Sequence, residues 1–109
     1  MKTHTILIVL GLAGVSFAAW GADAAANWKE HCTKCHGDDG KGNTKMGRKL
    51  DIRDISKADV QAKFTDADAM KAMKEGLKDK DGKVSMKPVE GLSEDDMKAL
   101  VGYVRGLKK

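Results

Sequence analysis

The two cysteines of this chain lie in one short motif, Cys32-Thr33-Lys34-Cys35-His36, whose residue types suit redox, metal or cofactor chemistry. Residues three apart on a helix lie on the same side of one turn, so both thiols would point the same way. A histidine follows the second thiol directly. Such residues serve in a redox-active disulfide, in a zinc site or in the covalent attachment of haem.

Covalent haem attachment is the interpretation that the surrounding sequence favours. A thioredoxin-like disulfide follows a strand in a βαβ unit, which the sequence does not predict, and a structural Cys32–Cys35 disulfide would close too short a loop to stabilise much. A zinc site would need His31 as well, but that residue adjoins Cys32, which strains a tetrahedral ligand set. The C-x-x-C-H spacing is typical of haem c. We therefore expect thioether bonds from Cys32 and Cys35, with His36 as the proximal ligand of the iron.

The distal ligand of the iron is expected among the methionines. Met70 and Met73 are spaced as a helix pair, which is typical of core packing. Met86 lies in a loop stiffened by Pro88, and such a loop can cover the far face of a haem. We predict Met86 as the distal ligand, with Met46 of the glycine-rich segment as the alternative. Ligation by histidine and methionine leaves no open position, which suits electron transfer rather than substrate chemistry at iron.

Length and composition limit the chain to one small domain. It has 109 residues, of which 41% are apolar and 5% aromatic, and its net charge is +4. A two-domain enzyme or a Rossmann unit is excluded by this size.

Residues 1–22 are predicted to be a secretory signal peptide, cleaved within about residues 18–24, because an apolar run follows Lys2 and small residues follow the run. That run is shorter than the ~20 residues of a membrane-spanning helix.

The predicted mature domain, residues 23–109, has few large apolar side chains. Its aromatic residues are Trp28, Phe64 and Tyr103. Domains this small usually need a disulfide, a metal or a cofactor to fold. An apolar macrocycle would supply the missing burial, so we expect the chain without haem to be largely unfolded.

The pattern along this domain predicts an all-α fold. Asp23, Ser56, Thr65 and Ser93 are expected to cap helices that begin directly after them. The first of these helices should end near Cys32 and the third near Gly76. Glycines after the C-x-x-C-H motif predict a loop, and a second loop is expected over residues 78–90. No alternating pattern predicts a strand.

The order of these features resembles the bacterial class I monohaem cytochromes c. Trp28 stands four residues before the first cysteine, Gly37 follows the axial histidine, and a glycine-rich segment and a methionine loop come next. The chain then ends in a helix that carries Tyr103. The resemblance covers essentially the whole mature chain. It implies a small class I cytochrome c fold, with three to four helices wrapped around one covalently bound haem.

The resemblance also implies a contact between the first and last helices, with Ala24, Trp28, Gly102 and Tyr103 as candidates. The family often has a proline about ten residues after the axial histidine, whose carbonyl accepts the imidazole N–H. Pro88 is the only proline here, so we expect a carbonyl between Thr44 and Gly47 to take that role.

The expected function is that of a periplasmic single-electron carrier that is not an enzyme in its own right. One alternative is a ligand-binding or peroxidase-like haem protein with an open distal site, and another is an electron-entry subunit of a dehydrogenase or oxidase. We expect a monomer without membrane insertion after signal cleavage, and periplasmic redox proteins as electron donor and acceptor. Docking would use exposed lysines near the haem edge, for which the candidates are Lys34, Lys45, Lys83 and Lys87. Basic residues without interleaved aromatics give no sign of nucleic-acid binding.

Overall fold

The computed structural model describes the backbone of residues 17–109 and the side chains of residues 23–109. Residues 1–16, which form most of the predicted signal peptide, lie outside this part. Within it the chain forms six helices and one antiparallel pair of short strands. In chain order these are α1 (Phe17–His31), α2 (Thr33–His36), α3 (Lys45–Lys49), α4 (Ala58–Gln61), α5 (Asp66–Glu75), β1 (Leu77–Lys78), β2 (Val84–Met86) and α6 (Glu94–Gly106). No helix in residues 17–109 combines the length and apolarity that crossing a bilayer requires.

The hydrophobic core lies where α1 and α5 pack on α6. Leu100 of α6 is 1% exposed, and it packs with Trp28 and Cys32 from the N-terminal side and with Met73 from α5. We name the group of buried side chains Trp28, Cys32, Met73, Met97, Leu100 and Val101 the central cluster. The predicted packing of Met73 in the core is confirmed.

The expected contact between the first and last helices is confirmed, with one error in its residues. Ala24 and Trp28 are buried, and the rings of Trp28 and Tyr103 lie 5.5 Å apart between centroids. The expectation for Gly102 was wrong, because this residue is exposed and a Cβ there would meet no atom within 4 Å. Leu100 and Val101 fill the face of α6 that points to the core, and Gly102 lies next along the helix on the outer side.

The two long helices of the second half begin as the sequence predicts. Thr65 and Asp68 form a reciprocal capping box at α5, and Ser93 and Asp96 form another at α6. Each box satisfies backbone N–H groups that a helix start leaves free. Gly76 ends α5 with a φ of 76°, a conformation that favours glycine.

Two other predicted helix starts were wrong. The first helix does not begin at Asp23 but continues back to Phe17, because alanine-rich sequence on both sides of Asp23 favours helix. Ser56 does not cap α4, since its backbone N–H and its hydroxyl both donate to the carboxylate of Asp54. Lys57 is the N-cap residue of α4 instead.

The glycine-rich segment and the methionine loop contain more regular structure than predicted. The side chain of Thr44 accepts a hydrogen bond from Gly47 N and caps the short helix α3. Together with the single turn α2, this raises the helix number above the three to four expected. Residues 78–90, predicted as loop, contribute strand β2, and Met86 pairs with Leu77 of β1. The carboxylate of Asp79 accepts from the N–H groups of Asp81 and Lys83 and closes the hairpin turn.

Candidate haem-attachment site

The C-x-x-C-H motif continues the first helix through one tight turn. Cys32 N donates to Trp28 O at 2.9 Å, and His36 N donates to Cys32 O at 2.9 Å. This helical backbone places Cys32 and Cys35 on the same side of the turn, as the sequence predicts. Both are free thiols, of which Cys32 is buried in the central cluster and Cys35 is partly exposed.

Burial favours the uncharged forms of Cys32 and His36. It raises the pKa of the Cys32 thiol to about 11, with a smaller contribution from the nearby Cys35. Burial also lowers the pKa of His36 below its ordinary value of 6.5. At neutral pH the motif therefore presents a neutral thiol and a neutral imidazole, and the neutral imidazole is the form that binds metals.

The backbone at the end of α2 is held by three donors from other parts of the chain. The last carbonyls of a helix have no partner within the helix. Here Cys35 O accepts from Thr44 Oγ1 at 2.7 Å and His36 O accepts from Gly42 N at 2.7 Å. Gly37 O accepts from the indole Nε1 of Trp28 at 3.2 Å. The peptide groups around His36 are thus fixed on both sides of that residue.

Gly47 allows α3 to lie directly against this turn. A Cβ at this position would overlap the carbonyl oxygen of Gly42 and would stand 2.7 Å from Cys35 O. Gly47 is buried between these two backbone segments. A side chain there would separate Thr44 from Cys35, so glycine at this position maintains the hydrogen bond between them.

The imidazole of His36 is positioned by packing. Its ring lies 5.7 Å from the Trp28 ring between centroids, at an interplanar angle of 34°. Nδ1 is buried and has no hydrogen-bond partner among the residues described. This leaves Nε2 as the ring nitrogen that can face a metal.

The expectation that a carbonyl between Thr44 and Gly47 accepts from His36 Nδ1 was therefore wrong. The carbonyls of Thr44, Met46 and Gly47 accept instead from backbone N–H groups of Arg48, Leu50 and Ile52. These bonds belong to α3 and the turn that follows it. The segment folds on itself, and the carbonyls do not turn toward the imidazole.

Met86 and Cys32 border the same apolar region. Met86 is half-buried and packs against the central cluster, which contains Cys32, whereas Met46 does not belong to the side chains that contact it. Val89 N donates to Met73 O at 2.8 Å and holds the chain beyond Met86 against α5. A Cβ at Gly76 would lie 2.9 Å from Pro88 Cδ, so the strand end and Pro88 pack closely on this glycine.

The residues of this site fit a covalent haem better than a zinc ion. Two thiols share one side of a helical turn, the adjoining imidazole is neutral, and apolar side chains lie around them. In residues 23–109 no group of three His, Cys, Asp or Glu side chains is arranged to hold a metal ion. Zinc, which usually takes four such ligands, has no site there.

Several features of the site were not predicted from the sequence. The indole N–H bond to Gly37, the close approach at Gly47 and the hairpin that carries Met86 depend on contacts across the fold. A local signal existed only for the hairpin turn, where Asp81 and Gly82 form the Asp-Gly pair common in tight turns.

Comparisons with known proteins agree with this geometry. The family model for cytochrome c matches residues 21–108. A solved structure of KustC0563, a c-type cytochrome, is 35% identical with a TM-score of 0.68, and the match covers 80% of this chain and 99% of that chain. A tyrosine-to-phenylalanine mutant of Kustc0563 is 34% identical with a TM-score of 0.65, over 79% of this chain and 99% of that chain. No curated protein matches the sequence significantly.

The family match and the structural matches span nearly the whole of the domain that contains the motif. They confirm the predicted fold, the predicted cofactor of one covalently bound haem c, and the general role of a haem c electron carrier. The chain therefore belongs to the cytochrome c family, as a monohaem class I member with one covalently bound haem c.

Proposed function

We propose that this protein is a periplasmic single-electron carrier in which His36 and Met86 are the two axial ligands of the haem iron. Thioether bonds from Cys32 and Cys35 would hold the macrocycle. The observation that carries the proposal is the convergence of these residues on the central cluster. Cys32 belongs to it, Met86 packs against it, and the His36 ring packs on its Trp28.

Bound haem supplies an iron that changes its charge by one electron. The protein contributes ligands, orientation and the exclusion of water. His36 offers a neutral imidazole on a turn whose carbonyls are fixed by Thr44, Gly42 and Trp28. Met86 offers a thioether, a soft ligand that raises the reduction potential in combination with histidine. Filled axial positions on a rigid frame favour rapid exchange of an electron without a chemical change in a substrate.

A methionine on the hairpin is better supported than one in the glycine-rich segment. Met86 is held between the pairing with Leu77 and the close packing of Gly76 on Pro88. Met46 lies within α3, whose other side chains are mostly exposed. A distal ligand must lie in the apolar surroundings that would bury the haem. Contact with the central cluster therefore favours Met86 over Met46.

Electron donor and acceptor are proposed to be redox proteins of the periplasm. Lys34, Lys45, Lys83 and Lys87 are all exposed, which makes them available to an acidic partner surface. Cleavage of the signal peptide within about residues 18–24 and action as a monomer are parts of the same proposal.

Replacing single methionines tests the ligand assignment. We expect Met86→Ala to lose the methionine–iron charge-transfer band of the ferric protein and to bind carbon monoxide when reduced. Met46→Ala is the matched control and should keep the band and exclude carbon monoxide. The opposite result for the two variants would make Met46 the ligand. Carbon monoxide binding by the unchanged protein would support the alternative of an open distal site.

A further inference from the structure

We propose that Trp28 is the positioning residue for the axial histidine, and that it fixes the plane of the His36 imidazole. The proposal rests on the proposed role of His36 as an iron ligand. It assigns to one indole side chain a function at the haem in addition to its place in the contact between the first and last helices.

The first observation is the packing of the indole on two other rings. Trp28 is 3% exposed, with the His36 ring at 5.7 Å and the Tyr103 ring at 5.5 Å between centroids. Both centroid distances lie within the range of interacting aromatic rings, and the planes are tilted by 34° and 38°.

The second observation is the hydrogen bond from the indole to the backbone beside the ligand. Trp28 Nε1 donates to Gly37 O at 3.2 Å, and Gly37 follows His36 directly. Gly37 has a φ of 81°, so the chain turns sharply there. The same indole therefore contacts the imidazole with its ring and holds the peptide that follows the imidazole with its N–H. A phenylalanine at this position could not form this bond, because its ring carries no hydrogen-bond donor.

The third observation is that the imidazole has no hydrogen bond of its own to set its rotation. Nδ1 of His36 is buried without a partner in the described part of the chain. Metal-binding histidines commonly donate their second ring N–H to an acceptor, which fixes the ring orientation. In this chain the packing of the imidazole against Trp28 fixes the orientation of the ring instead.

Two variants of the haem-containing protein separate positioning from general stability. Trp28→Phe keeps an aromatic ring and removes the donor, whereas Tyr103→Leu removes the other ring that packs on the indole and leaves the indole N–H in place. Three quantities are measured: the hyperfine-shifted haem methyl resonances of the ferric protein, the reduction potential, and the denaturation midpoint. The methyl resonances report the orientation of the imidazole plane. We expect Trp28→Phe to rearrange the methyl shifts and move the potential. Tyr103→Leu should lower the midpoint without either effect.

Unchanged methyl shifts and potential in Trp28→Phe would overturn the proposal, as would equal changes in Tyr103→Leu. If Trp28→Phe does not mature, the unchanged protein still gives an answer. Its indole N–H should exchange with deuterium at least about tenfold more slowly than an exposed indole, and it should show a nuclear Overhauser effect to an imidazole proton of His36. Rapid exchange without that effect would overturn the proposal. Carbon monoxide binding by the unchanged reduced protein would instead contradict the distal ligand of the proposed function.

Discussion

At the scale of single residues, the guanidinium of Arg105 joins the last helix to the stretch from the end of α4 to the start of α5. It donates to Gln61 O at 2.7 Å, to Phe64 O at 2.8 Å and to the Asp66 carboxylate at 2.9 Å. Its central carbon also lies 4.4 Å from the centre of the Phe64 ring. A lysine can neither reach three acceptors in this planar arrangement nor stack in the same way.

We therefore predict that Arg105→Lys lowers the free energy of unfolding by about 2 kcal/mol, because partly buried carbonyls lose a charged donor. Denaturant titration of the haem-containing protein measures the loss. Arg48→Lys is the matched control, since Arg48 makes an exposed hydrogen bond to Asn43. That change should cost less than about 0.5 kcal/mol, and equal losses in both variants would contradict the role given to Arg105.

The sequence identified the chemically distinctive residues better than the residues that position them. Cys32, Cys35 and His36 stand out by type and spacing alone. Thr44 and Gly47 do not, because their roles arise from a backbone segment that is brought against α2 only in the folded chain. The resemblance to cytochromes c also suggested a bond for His36 Nδ1 that is not formed within residues 23–109.

At the scale of elements, the contact of α3 with α2 depends on one glycine. We predict that Gly47→Ala lowers the free energy of unfolding by about 3 kcal/mol or more, or prevents maturation, because its Cβ would overlap backbone that cannot move aside. Gly102→Ala is the matched control in an open helical position, and it should stabilise the protein by about 1 kcal/mol. Normal stability of Gly47→Ala would show that α3 can be displaced from α2 at little cost.

Elements were predictable where their signals are local. The capping boxes at Thr65 and Ser93 involve residues three apart, so they can be read directly from the sequence. Helix α3 contains a glycine and follows others, which locally favours a loop, but tertiary contact with α2 overrides that preference. The hairpin has strands of only two and three residues, too short for an alternating pattern to be visible.

At the scale of the whole molecule, the buried apolar core is small for an independent domain. Eight hydrophobic residues are buried in the described part of the chain, and Leu100 is the one large side chain among them with less than 2% exposure. A domain of this size needs further apolar burial or a covalent link to fold. A covalently bound haem would provide that burial.

We predict that a Cys32→Ser, Cys35→Ser double variant, which cannot form thioethers, is largely unfolded. Circular dichroism should show little helix and no cooperative thermal transition. The unchanged protein with haem is the reference and should melt cooperatively. A cooperative transition in the variant would mean that the protein core is sufficient without the cofactor.

Association with redox partners is predicted to depend on the positive charge of the four candidate docking lysines near the haem edge. Replacing Lys34, Lys45, Lys83 and Lys87 by Gln should slow electron transfer with the physiological partner at low salt by about tenfold or more and flatten its salt dependence. A control set of equally exposed lysines, Lys29, Lys57, Lys63 and Lys108, removes the same charge. Equal slowing in both sets would indicate that net charge, rather than a docking face, sets the rate.

The central claim is that the iron has six ligands, with His36 and Met86 in the axial positions. The most direct test is the visible spectrum of the matured protein, ferric and dithionite-reduced, with and without carbon monoxide. We expect a low-spin reduced spectrum that carbon monoxide does not change. Rapid formation of a carbon monoxide complex by the unchanged protein would contradict it.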